Sequence, residues 1–141
     1  MAIIYYLTEF VMQEKISFTL KKEERLTGEM RIKRLFEQGE AFLVYPLRVI
    51  VFVHEGGDGE VKALFSVPKR RFKRASKRNL LKRRMREAYR LHKHLLYASL
   101  AHTTCTVDIA FSYISNDLLP FALIESKMVQ ILQHREKFLQ H

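Results

Sequence analysis

The chain has a single cysteine, Cys105, in 141 residues, which excludes an internal disulfide and fits a reducing compartment. Its place in an apolar, strand-like run reads as a buried, inert thiol rather than a nucleophile. No uninterrupted apolar run is long enough to span a bilayer. The opening MAIIYYLTEFVMQ is apolar but short, is broken by Glu9, and lacks both a basic leading region and a small-residue cleavage site, so neither a signal peptide nor a membrane span is expected. No internal repeat, low-complexity linker or second domain is evident, and the length suits one domain with its own core. Catalytic sets are missing too: there is no paired-carboxylate or Ser/His/Asp arrangement to defend. Six histidines invite a metal reading, but His92 and His94 stand two apart on a helix and share no face, and nothing near His92, His94 or His102 completes a ligand set. The glycines of Glu55-Gly56-Gly57-Asp58-Gly59-Glu60 read as a hairpin loop rather than a phosphate loop, because no Lys-Ser pair or helix follows and acids flank the turn.

The most informative scarcity is of acids between residues 69 and 93. That window holds thirteen of the chain's 25 Lys and Arg and one acid, Glu87, so it carries +12 in a chain whose whole formal charge is +10. Solvated charged faces usually mix signs; a block of one sign repels itself and points to a polyanionic partner, nucleic acid being the commonest. A membrane-surface or nuclear-targeting role follows from charge alone as well. The membrane version is weakened because the window's apolar residues are needed for a core.

On a helical wheel at 100° per residue, Arg78, Asn79, Lys82, Arg83, Arg86, Arg90 and Lys93 fall within an arc of roughly 140°. Leu80, Leu81, Met85, Ala88, Leu91 and Leu95 take the other side. The pattern predicts an amphipathic helix that docks an apolar stripe and presents a basic ridge. Arg84 falls inside the apolar arc, so its head must snorkel out or find a separate contact.

Around this window, a short helix is expected over about 28–38, with Ile32, Leu35 and Phe36 on one side and Gly39 as its stop. AFLVYPLRVIVFVH, residues 41–54, is β-branched and aromatic, with Pro46 dividing it into two strands or one bent edge. Residues 61–67 form the next strand and 105–114 a fourth. A second long helix is expected over 120–134, burying Phe121, Ile124, Met128, Ile131 and Leu132. The result is an α+β fold, one four-stranded sheet packed with helices in the order α-β-β-β-α-β-α.

The run 66–90, with Ser66-Val67-Pro68-Lys69 ending a strand, then Arg78-Asn79, Lys82-Arg83 and Arg86-Glu87-Ala88-Tyr89-Arg90, resembles the protein subunit of bacterial ribonuclease P. The family signature is a strand ending in S-V-x-K followed by an R-N-R-x-K-R helix start. FTLKKEERL at the start of residues 18–39 is also close to the family's opening, and the resemblance covers about 18–135. Two positions depart from it. Leu80 stands where the third residue of R-N-R is arginine, and the loop Lys69-Arg70-Arg71-Phe72-Lys73-Arg74 replaces a shorter turn containing Gly and Asn, so its extra cations are placed to take over the lost contact.

The resemblance implies a ribosomal-protein-like fold with a left-handed crossover, against the right-handed default for a strand-helix-strand unit. It also implies assistance to a catalytic RNA subunit that removes the 5′ leader of precursor tRNA, with Mg²⁺ held mainly by that RNA, in the cytoplasm. The RNA-binding residues it implies are Lys69, Arg70, Arg74, Arg78, Asn79, Lys82, Arg83, Arg86 and Arg90. A leader cleft bounded by the first helix and the sheet would use Phe18, Ile32, Phe36, Tyr45 and Arg48, although Ile32 stands where many members have an aromatic. Single strands in such a cleft are held by stacking and backbone charge. Residues 1–17 are expected to be a disordered extension, with Met12 an alternative start, and 18–141 one RNA-binding domain. The alternative is a non-catalytic RNA-binding or ribosomal protein of the same fold. A DNA-binding module lacks a helix-turn-helix pair or dimer signature.

Overall fold

Two aromatic rings from adjacent strands mark the centre of the molecule. In the computed structural model, which describes residues 19–56, 59–100 and 104–134, Phe65 stacks on Phe111 at 5.4 Å and Tyr89 meets both at 5.6 Å. The strands are β1 (Glu40–Val44), β2 (Leu47–His54), β3 (Val61–Ser66) and β4 (Thr106–Tyr113); the helices are α1 (Glu29–Gln38), α2 (Ala75–Leu100) and α3 (Phe121–Leu132). The sheet order is β1-β2-β4-β3, with β3 parallel to β4 and the other pairs antiparallel. The expected α+β order therefore holds, and Pro46 separates two antiparallel strands rather than bending one. The extension 1–17 and Phe18 lie outside the described residues.

Strand alternation sends side chains to two different layers. Leu47, Val49 and Val51 of β2 join Val107, Ile109 and Phe111 of β4 in the main core, which α2 and α3 close. α3 supplies Ile124, Met128, Ile131 and Leu132, all fully buried, while Phe121 is half-buried at its start. The opposite face of β2 carries Arg48, Ile50, Phe52 and His54. Only part of that face is covered: Leu26 and Leu35 bury against Ile50 and Ala110, with Ile32, Phe52 and Leu64 partly buried around them.

Gly28 begins α1 with φ 97, a left-handed conformation that costs a glycine little. Gly39 ends it for another reason. Its φ is −74, but a Cβ there would collide with the Leu35 carbonyl and stand 2.8 Å from Ile50 Cγ2, so glycine is what lets α1 turn directly onto β1. Cys105 falls just before β4 and is half-buried, not in the core as its apolar surroundings suggested.

Candidate nucleic-acid interface

α2 has 26 residues and buries Leu81, Met85, Ala88, Tyr89, Leu96 and Leu100, a stripe at spacings of three, four and one. Leu80, Leu91 and Leu95, expected in that stripe, are only half-buried at its margin. The buried stripe turns the remaining face outward, and Lys77, Asn79, Arg83 and Arg86 are exposed along it, with Lys82 half-buried beside them.

The loop before α2 is pinned at three points. Phe72 is 7% exposed and packs 6.0 Å from the Tyr113 ring. Arg71 Nη1 donates to Asn116 Oδ1 at 3.1 Å, and its backbone N–H donates to the Pro68 carbonyl at 3.1 Å. Arg78 Nη1 donates to the carbonyls of Phe72 at 2.7 Å and Lys73 at 2.8 Å. Between these pins Lys69, Arg70, Lys73 and Arg74 are exposed.

The thirteen cations of 69–93 therefore divide into two groups. Arg71, Arg78, Arg84, Arg90 and Lys93 bond within the protein. The other eight, Lys69, Arg70, Lys73, Arg74, Lys77, Lys82, Arg83 and Arg86, make no hydrogen bond or ion pair among the described residues. They run without a break from the loop onto the helix. Arg84 Nη1 reaches the Leu119 carbonyl at 2.6 Å, which is the separate contact its place in the apolar arc required. Arg90 forms a two-bond pair with Glu87, whose carboxyl is held below its ordinary pKa by the hydrogen bond from Arg90.

Lys93 is a correction. The wheel put it on the ridge, but it is 3% exposed because residues 19–24 cross over that part of α2. Its Nζ donates to Glu24 Oε1 at 2.7 Å and Oε2 at 2.9 Å and to the Thr19 carbonyl, and Tyr97 donates to Glu24 Oε1 at 2.6 Å.

The family model for ribonuclease P matches residues 20–136, the whole of this loop, helix and sheet. The chain belongs to the ribonuclease P protein family. It is 43% identical over 122 residues to the ribonuclease P protein component of Porphyromonas gingivalis, a match covering 86% of this chain and 89% of the relative. A component of the same name from Chlorobaculum tepidum is 37% identical over 95 residues, covering 64% and 62%. Among solved structures, the RNase P protein of Thermotoga maritima has a TM-score of 0.61 at 20% identity, covering 78% of this chain and 96% of that one, and so agrees in fold. The Staphylococcus aureus RNase P protein agrees likewise, with a TM-score of 0.59 at 18% identity over 83% and 99%. These matches do not favour the ribosomal-protein alternative.

The other surface expected from the ribonuclease P resemblance is the open part of the sheet. Strand register places Leu43, Arg48, Ser112 and Ser66 in one row across β1, β2, β4 and β3. Leu43 and Tyr45 are 65% and 57% exposed at one end of the row, and Arg48 is exposed within it. Phe36 on α1 is 45% exposed, so it is not the core residue its spacing with Leu35 allowed. Ile32 is half-buried against the small core under α1, which suits packing more than stacking.

A fully buried acid was missed. Asp108, 0% exposed, accepts two bonds from Arg31 Nε and one at 2.7 Å from Arg31 Nη2, and lies 2.9 Å from His54 Nε2. Arg34 completes the cluster 3.7 Å away while stacking over Phe52 at 4.9 Å. The signal was there, as one acid in the apolar run TVDIAFSY needs a cationic partner. This cluster ties α1 to the sheet. Among the described residues no group of three or more His, Cys, Asp or Glu is placed to hold a metal, and His92 instead meets Glu125 at 3.1 Å between α2 and α3.

Proposed function

We propose that this chain is the protein subunit of a ribonucleoprotein endonuclease that removes the 5′ leader from precursor tRNA, with the RNA subunit carrying the chemistry. The observation that supports this most is the set of eight cations without protein partners on one continuous loop and helix face. A field of that size on a rigid helix neutralises RNA backbone, and each phosphate contact releases counterions. The RNA-binding assignments are Lys69, Arg70, Arg74, Asn79, Lys82, Arg83 and Arg86, with Arg78 and Arg90 at the margins because part of their bonding capacity is spent within the protein.

Mg²⁺ held mainly by the RNA would supply the activated water and stabilise the leaving oxygen. The protein's own contribution is electrostatic: it lowers repulsion between two RNAs. The open sheet row with Arg48, Tyr45 and Phe36 suits a single-stranded leader, which needs a flat face, a backbone cation and aromatic edges. Such a particle would work in the cytoplasm. Among the described residues no helix is long and apolar enough to cross a membrane.

Reconstitution tests the reading. The protein mixed with its cognate RNA subunit should cleave precursor tRNA at low Mg²⁺, where the RNA alone is slow, and the protein alone should not cleave. Equal cleavage with and without protein at every Mg²⁺ concentration would overturn it.

A further inference from the structure

Arg78 lies in the basic signature and would be counted with the phosphate contacts, yet its geometry gives it another task. Both hydrogens of Nη1 are directed at carbonyls of the preceding loop, those of Phe72 and Lys73. A guanidinium can hold two carbonyls at once in a fixed plane, whereas a lysine ammonium imposes no such fork. We propose that Arg78 is a positioning residue for a second RNA-backbone contact, the loop 69–74, whose exposed cations bind phosphates of the RNA subunit in continuity with the ridge on α2. The proposal rests on the function given above.

The loop is built to be rigid where it is charged. Phe72 is sunk in the main core, Arg71 is tied to Asn116 on the β4–α3 connection, and Arg78 holds the two carbonyls beyond. Lys69, Arg70, Lys73 and Arg74 project from between these anchors with no partner of their own. Fixing cations before binding removes ordering cost from the association, so four held cations bind a backbone better than four on a mobile loop. The loop also runs directly into Lys77 at the start of the ridge, which favours the same RNA over a separate ligand. It offers cations where Leu80, half-buried, offers none.

The test is a double-mutant cycle read by affinity for the cognate RNA subunit and by its salt dependence. Arg78→Lys keeps the charge and loses the fork. If Arg78 positions the loop, Arg78→Lys weakens binding about tenfold and lowers the log–log salt slope, because loop phosphates are released at roughly 0.7–0.9 each. In a Lys69→Ala, Arg70→Ala, Lys73→Ala, Arg74→Ala background the same change costs less than twofold, which general unfolding would not mimic. Asn116→Ala, an exposed residue, serves as the second variant and should weaken binding two- to fivefold only when the loop cations are present. Retention of wild-type affinity and slope by Arg78→Lys, or equal losses for both variants in the two backgrounds, overturns the proposal. A wild-type protein that fails to bind the RNA subunit overturns the proposed function itself.

Discussion

Lys93 and Glu24, 69 residues apart, form a two-bond ion pair, 2.7 and 2.9 Å, that straps the segment before α1 across the far half of α2. Lys93 is 4% exposed as a side chain and Glu24 17%. Removing one partner strands the other. Glu24→Leu should cost about 3 kcal/mol, within the range for breaking a buried pair, and the double change with Lys93→Met should recover part of that loss. Urea unfolding of the three variants checks this, and a double variant as unstable as Glu24→Leu alone would mean that the strap is held by other contacts.

The same pair predicts a pH dependence. Burial alone would raise the Glu24 carboxyl, but hydrogen bonds from Lys93, Tyr97 and the Lys21 N–H together bring it below its ordinary 4.5. A depressed folded-state value contributes stability that is present above the unfolded value and lost as pH falls through the folded one. Stability should therefore hold above pH 4.5 and decline below it, and Glu24→Gln should flatten that decline. Melting curves at several acidic pH values decide it. Glu87 shifts the same way, but its pair with Arg90 is at the surface and adds little.

Ridge and stripe should separate cleanly. Arg83→Ala with Arg86→Ala should weaken RNA binding with little change in melting temperature, since both side chains are exposed and unpartnered. Leu81→Ala and Met85→Ala remove fully buried side chains and should each cost about 2–5 kcal/mol. Arginine variants that unfold would show that the exposed face has a structural task.

The sheet row gives a substrate-specific outcome. Phe36→Ala should leave stability nearly unchanged, because the ring is 45% exposed, and lower the preference for precursor over mature tRNA. A stacked base is worth about 1–3 kcal/mol, so the preference should fall roughly five- to a hundredfold per effective contact. Affinities of the assembled particle for both tRNAs at fixed salt measure it; an equal loss for both would remove Phe36 from the leader site.

What could be read from the residues was whatever repeats at a fixed period. The alternation in residues 47–54 and 106–113 and the spacing of Ile124, Met128 and Ile131 placed strands and helix within a residue or two, because burial of one face imposes that period. Partners distant in sequence leave no such trace. Asp108 finds Arg31 77 residues away, and Lys93 is covered by a segment that no helical wheel includes. Gly39 was legible as a stop, but the reason, contact with Ile50 and the Leu35 carbonyl, belongs to the packing. In the site, the ridge was legible as charge. Which cations are already engaged was not, since Arg78 and Arg90 differ from Arg83 and Arg86 only in what the fold sets beside them.

The central claim is that the free cations of the loop and α2 form the main contact with RNA, and the salt dependence of affinity for the RNA subunit tests it most directly. Six phosphate contacts at roughly 0.7–0.9 ions each predict a log–log slope of about −4 to −5. A slope near −1 would contradict the claim.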